Sequence, residues 1–266
     1  MINKIFIRGT IILGLFFGSW FLLQQVNWIR IFDIDIENKN IQRIEKELGK
    51  LMISQFKLEN EIIENELVTK TVDSIVTKIC EANHIDKESL QVYIFNNSEV
   101  NAFALPDRQL VIYTGLIDKT EKPEALSGVI AHELAHIEKN HVMKTLVREL
   151  GLGVLFSIIT GGDSISGDII QMVSSSAFSR EMEKEADLWG VKYLLKAKID
   201  TAPFTDFIGL FEENDVQALK WVSSHPISKE RKEYILNFIE NKDVTFEEVI
   251  SPNTWEALKS EILYQL

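Results

Sequence analysis

Apolar positions recur along this chain in several distinct rhythms. From Gly9 to Ile29 they are nearly continuous, "GTIILGLFFGSWFLLQQVNWI", with no charged residue. From Glu37 the rhythm turns helical: Ile41, Ile44, Leu48, Leu51 and Met52 fall near helical spacing in a charged segment, which predicts a helix leading into the core. Val72, Ile75, Val76 and Ile79 form one stripe of a second amphipathic helix. "QVYIF" (Gln91–Phe95) reads as a strand, and "VNAFALPDRQLVIYTGLI" as two short strands around a Pro106-Asp107 turn. Thr120 is placed to cap the next helix, with Pro123 in its first turn, and the periodicity runs on to about Leu150. "LGLGVLFSIITGG" is apolar but too short for a membrane span. Its glycines and the polar "TGGDSISGD" admit two readings, a mobile flap or a buried core segment. "SSSAFSREMEKEADLWGVKYLLKA" is helical with Ser179 as N-cap, and "HPISKERKEYILNFIE" and "SPNTWEALKSEILYQL" predict two terminal helices. No internal repeat is present.

The uncharged N-terminal stretch has the length of a bilayer-spanning helix. A cleaved signal peptide competes with a retained anchor. The bulky Leu15, Phe16, Phe17, Trp20 and Phe21 and the lack of a small-x-small cleavage site favour the anchor. Lys4 and Arg8 precede the stretch, while Arg30, Lys39, Arg43 and Lys46 follow it, so flanking charge does not decide orientation. The expectation is a single-pass membrane protein with the domain that follows the anchor on the extracytoplasmic side. The rest is ordinary globular composition, 45% hydrophobic and 26% charged in 266 residues. A formal net charge of −12 argues against a nucleic-acid partner. The one cysteine, Cys80, rules out an intramolecular disulfide and a cysteine-rich zinc site. Any metal must be held by histidines and carboxylates.

The histidines are few and clustered. Of five in the chain, three lie in "SGVIAHELAHIEKNH". On a helix, His132 and His136 sit one turn apart within about 40° of each other, so both imidazoles reach one ion. Glu133 flanks that face in the position of a general base, which is the mechanical content of H-E-x-x-H. Chance, or two buried structural histidines, is the competing explanation. Burying such a pair unpartnered in an otherwise apolar helix would be costly. Continuing the same helix puts His141 about 140° away from His136, a surface or second-layer position. A catalytic zinc needs a third protein ligand. "SREMEKEADLWG" offers Glu181, Glu183, Glu185 and Asp187, with Glu183 and Asp187 on one face. That spacing fits a ligand and a carboxylate orienting a zinc histidine, and equally a solvated acidic face.

"VNAFALPDRQLVIYTGL", "HELAH", "SREMEKEAD" and "HPISKER" stand in the order found in the M48 family of zinc metallopeptidases, and the chain resembles that family from roughly Leu48 to Glu240. The single anchor is most similar to its Oma1/BepA-like quality-control group. The resemblance implies an α+β, mainly α fold: a zincin-like core with a small sheet and an active-site H-E-x-x-H helix behind one N-terminal transmembrane helix. It implies one Zn2+ per chain held by His132, His136 and Glu183, with Asp187 behind them and Glu133 catalytic. His225, in "SSHPIS", is expected either as the oxyanion donor or as a fourth zinc ligand in a resting state; a helix-start histidine without a role is the plain alternative. Arg231 is expected to hold that loop or the substrate, against a plain surface arginine. Asn101 and Ala102 are expected to bind an extended peptide by strand addition. Where the group often has Gly-Gly, this chain has Asp107-Arg108. The implied organisation is a tail (1–8), an anchor (9–29), a juxtamembrane helical segment (30–66), the peptidase domain (67–240) and a C-terminal helical tail (241–266). The implied function is endopeptidase action on unfolded or misassembled envelope polypeptides. The alternatives are an inactive membrane-bound chaperone or adaptor that keeps the fold, and a structural zinc domain.

Overall fold

The computed structural model describes residues 39–161, 178–209, 225, 229–240, 242 and 244–265. The expected anchor, Gly9–Ile29, and the polar run beyond Gly161 lie outside the described residues. Among those described, no helix is long and apolar enough to cross a membrane.

The first helix, α1 (Lys39–Glu59), buries Ile41, Ile44, Leu48, Met52 and Phe56 on one face. A two-residue strand, β1 (Glu61–Ile62), leads to α2 (Glu66–Asn83). Asn65 caps α2, its side chain accepting from the Leu67 and Val68 N–H groups, and the helix ends at His84 in the left-handed region. The predicted stripe Val72, Ile75, Val76 and Ile79 is fully buried. Three further strands follow: β2 (Gln91–Asn96), β3 (Ala102–Leu105) and β4 (Gln109–Tyr113). The sheet order is β1-β2-β4-β3, with β2 and β4 parallel and the other pairs antiparallel. Phe56 of α1 packs on Phe103 and Phe95, which joins helix and sheet.

The β3–β4 hairpin turns through Pro106, Asp107 and Arg108, with Leu105 opposite Gln109. Asp107 (φ 64°) and Arg108 (φ 54°) both occupy the left-handed region, where glycine is unstrained and other residues are not. Arg108 is anchored there: its Nε donates to Ser89 Oγ at 2.8 Å and its Nη2 to Glu138 Oε1 at 2.5 Å. Asp107→Gly is expected to stabilise the protein by at most about 0.5 kcal/mol, because Asp tolerates the left-handed region better than most residues and glycine adds unfolded-state freedom. Arg108→Gly should gain less, because it also removes those contacts. Urea denaturation of the two variants checks the difference.

The end of the predicted second strand is helical instead: α3 (Thr114–Lys119) follows β4 directly, and Thr120 is its C-cap rather than an N-cap. The histidine-bearing helix α4 (Pro123–Glu138) starts at Lys122 with Pro123 in its first turn. It is buried from Ala125 to Ile137, a core helix contacted by β3, β4, α2 and later helices. It does not run to Leu150. Asn140 takes a left-handed conformation (φ 54°) and a new helix, α5 (His141–Leu150), begins. Short polar Asn tolerates this conformation better than most residues. The described part of the apolar stretch beyond it is a helix, α6 (Leu152–Thr160), and not a buried segment: Leu155 is buried, while Leu152, Val154 and Phe156 are exposed.

Then come α7 (Arg180–Lys196), whose N-cap Ser179 accepts from the Met182 N–H as expected, α8 (Ala202–Gly209), α9 (Lys229–Ile239) and α10 (Pro252–Gln265). Two close approaches set the core. A Cβ on Gly128 would lie 2.3 Å from the Phe204 side chain of α8. One on Gly190 would lie 3.1 Å from the backbone of His132, so glycine lets α7 press onto α4 at a histidine of interest. α10 buries Trp255, Leu258 and Ile262, and its Lys259 ammonium donates to the carbonyls of Ile117, Asp118 and Thr120 at the C-terminal end of α3. Lys39–Leu266 form one compact unit, to which the segments read as juxtamembrane and C-terminal both contribute core residues.

Candidate metal centre

α4 supplies His132, Glu133 and His136, α7 supplies Glu183 and Asp187, and His225 precedes α9. Helical spacing does the local work: His132 and His136, like Glu183 and Asp187, are i and i+4 and share a face. Packing of α7 on α4 then sets the two faces against each other. His132, His136, Glu183 and His225 are all buried, and one ligand atom from each lies within 4.8 Å of the others.

The separations resemble the edges of a coordination polyhedron. His132 Nε2 is 3.1 Å from His136 Nε2 and 3.1 Å from His225 Nδ1. Glu183 Oε1 is 3.4 Å from His136 Nε2 and 2.9 Å from His225 Nδ1. Four ligands at zinc–nitrogen or zinc–oxygen distances of about 2.0–2.2 Å would stand about 3.3–3.6 Å apart. The placement of donors and acceptors points the same way. His132 Nδ1 is 3.0 Å from Asp187 Oδ1, and a carboxylate only accepts, so the tautomer with its proton on Nδ1 suits this contact and turns the Nε2 lone pair toward the other nitrogens. Converging lone pairs of this kind fit a cation.

Asp187 is itself held from three sides. Arg231 donates to it in a fork, Nε to Oδ2 at 2.8 Å and Nη2 to Oδ1 at 2.7 Å, and Tyr234 donates its hydroxyl to Oδ2. Burial works against the Asp187 charge, but Arg231 and His132 outweigh it and hold the carboxyl at about 2. Burial together with Asp187 pushes the Tyr234 hydroxyl up. The remaining Arg231 nitrogen, Nη1, donates to the His225 carbonyl at 2.9 Å and lies 3.3 Å from Glu183 Oε2. Arg231 is thus no plain surface residue: its side chain is 3% exposed and contacts Asp187, Glu183 and the His225 carbonyl.

The charge balance of the cluster follows from burial and neighbours. Burial pushes the His136 imidazole well below its ordinary range, more than Glu183 beside it offsets. Burial disfavours the Glu183 carboxylate, yet His225, His136 and His132 hold it well below the usual carboxylate range. Burial also disfavours a His225 cation, but Glu183 and Glu133 outweigh it and raise the pKa. Glu133 Oε1 faces His225 Nε2 at 3.3 Å, so the expected base sits beside the cluster without belonging to the four converging atoms.

Asn101 and Ala102 lie where β3 begins, along α4, and are buried at 1% and 0% exposure. The Asn101 N–H and C=O belong to the strand entry, where its carbonyl accepts from the Tyr113 N–H at 3.0 Å. Two neighbours had no counterpart in the sequence: Tyr234 on Asp187, and Phe178, whose ring lies 4.0 Å from that of His136. Tyr234 stands one turn after Arg231 and could have been found by helical spacing. His141 takes the second-layer place of the two expected for it, but its contact with His136 could not have been foreseen, because it depends on the break at Asn140.

The sequence profile described as peptidase family M48 matches residues 66–238. The chain belongs to peptidase family M48. Among its relatives, the mitochondrial metalloendopeptidase OMA1 of Arabidopsis thaliana is 26% identical over 74% of this chain and 41% of its own length. The beta-barrel assembly-enhancing protease of Escherichia coli K12 is 22% identical over 62% of this chain and 37% of its own. The metalloprotease YcaL of the same bacterium is 27% identical over 60% of this chain and 67% of its own. The chain therefore spans about two fifths of the length of the first two relatives. The mainly helical α+β fold with one small sheet and a buried His/Glu cluster agrees with M48 membership.

Proposed function

We propose that this chain is a zinc-dependent endopeptidase, anchored to a membrane by Gly9–Ile29, that cleaves unfolded or misassembled envelope proteins. The observation that carries the reading is the buried convergence of His132, His136 and Glu183 with Glu133 beside it. The family match spans residues 66–238, inside the compact unit Lys39–Leu266. Relatives named as a metalloendopeptidase and as a beta-barrel assembly-enhancing protease support the substrate class.

His132, His136 and Glu183 would hold the ion, with Asp187 fixing the His132 tautomer. When bound, zinc would acidify water and polarise the scissile carbonyl. Glu133 takes the proton of the attacking water and passes it to the leaving amine. His225, held by Arg231 through its carbonyl and close to Glu133, either donates to the developing oxyanion or joins the metal ligands at rest. The extended peptide would lie along β3, near Asn101 and Ala102, read mainly through its backbone.

The test is zinc content and casein cleavage of the full chain, before and after chelation, beside Glu183→Ala. Wild type is expected to hold one zinc per chain, to lose cleavage on chelation and to regain it with zinc. Glu183→Ala should lose most bound zinc, because it removes a buried anionic ligand. Zinc-loaded wild type that cleaves nothing would leave the adaptor reading standing. Unchanged zinc content in Glu183→Ala would remove Glu183 from the ligand set.

A further inference from the structure

We infer that His141 is a positioning residue for the metal centre, acting through His136, and that Glu185 terminates the chain it forms. The inference rests on reading His136 as a metal ligand. His136 turns Nε2 into the cluster, which leaves Nδ1 on the far side of its ring. His141 Nδ1 lies 3.1 Å from that Nδ1, and His141 Nε2 lies 3.3 Å from Glu185 Oε2. The His141 side chain is 1% exposed, whereas that of Glu185 is 43% exposed and reaches the surface beside Lys139, 3.5 Å away.

The direction of each hydrogen bond follows from the two ends. A carboxylate only accepts, so His141 Nε2 carries the proton it gives to Glu185. A neutral imidazole has one N–H, so His141 Nδ1 is then an acceptor. His136 Nδ1 must therefore donate, which leaves the lone pair of His136 on Nε2, toward the other ligands. The order Glu185, His141, His136 thus selects the ligating tautomer of His136, as Asp187 does for His132 through one direct contact. The two histidines of H-E-x-x-H are oriented by different chemistry: a buried carboxylate paired with Arg231 behind one, a neutral ring connected to the surface behind the other.

The break at Asn140 makes this possible. An unbroken helix would carry position 141 away from His136, whereas the left-handed residue (φ 54°) starts α5 with His141 turned back over Phe178 and His136.

Zinc affinity by competition with a chromophoric chelator, and the d–d spectrum of the cobalt-substituted protein, test the inference on full-length variants. His141→Phe keeps a ring but no acceptor and is expected to bind zinc 10–100-fold more weakly with an altered cobalt spectrum. His141→Asn places a carbonyl oxygen near the Nδ1 position and should recover most of the affinity. Glu185→Lys, at a half-exposed site where folding is not at stake, should weaken zinc binding several-fold, while Glu185→Gln, which still accepts, should not. Wild-type affinity in His141→Phe or in Glu185→Lys overturns the inference, as does an equal loss in His141→Phe and His141→Asn, which would mark a packing role. Failure of the wild type to bind zinc would sink the metal-site reading as well; zinc-binding wild type with indifferent variants sinks only this one.

Discussion

Glu133→Gln is expected to keep one zinc per chain and to lower casein cleavage by about 10²–10⁴-fold. The carboxylate is buried on α4 next to His132 in sequence, and Oε1 is 3.3 Å from His225 Nε2. It is not among the four groups whose ligand atoms converge, so an isosteric amide should leave the metal in place. The amide cannot accept a proton from water at neutral pH, and among the described residues the two carboxylates of the cluster are already engaged: Glu183 lies among the ligand atoms and Asp187 is held by Arg231 and Tyr234. Metal content and single-turnover cleavage, measured on the same preparation, separate the roles. Loss of zinc would move Glu133 into the ligand set. Undiminished cleavage would refute the proposed mechanism, and a wild type as inactive as the variant would favour the adaptor.

Arg231→Leu should destabilise the fold by about 3–5 kcal/mol, because it leaves a buried carboxylate without its counter-ion. Asp187 is fully buried and Arg231 nearly so, and the fork supplies two of the carboxylate's hydrogen bonds. The same substitution frees the His225 carbonyl and removes the positive charge near Glu183. Stability and zinc affinity are therefore expected to fall together. Arg231→Lys keeps the charge but cannot reproduce three directed contacts from one planar group, so it should recover only part of the loss. Arg231→Leu with Asp187→Asn should cost less than the sum of the two single variants, since the uncompensated charge is gone. Chemical denaturation of the four proteins gives the comparison. Strict additivity would show that the pair carries no coupling.

His141, for which helical spacing left a surface or a second-layer place open, shows where periodicity stops being a guide. Helical geometry correctly pairs His132 with His136 and Glu183 with Asp187, because residues four apart share a face whatever surrounds them. It cannot see the left-handed residue at Asn140, whose cost is small and whose reward lies in the contacts of His141 with His136 and Glu185. Nor could it foresee α3, where "TGLI" follows a strand without punctuation, or the exposed apolar face of α6. The Asp107-Arg108 turn is the converse case: the departure from Gly-Gly was visible in the sequence, but the left-handed conformation both residues keep became evident only with the Glu138 and Ser89 contacts in view.

By itself the sequence determined which side chains could share a helical face, the kind of metal chemistry open to a chain with one cysteine and clustered histidines, and the order of motifs that resembles M48. Those properties are local or compositional, so they survive without knowledge of packing. Tertiary structure alone decided that α7 meets α4 at Gly190, that Arg231 serves Asp187 and the His225 carbonyl, and that His141 turns inward to His136. Each depends on groups from 5 to 58 residues apart brought within hydrogen-bond or van der Waals distance, and chain geometry between them is set by core packing rather than by the intervening sequence.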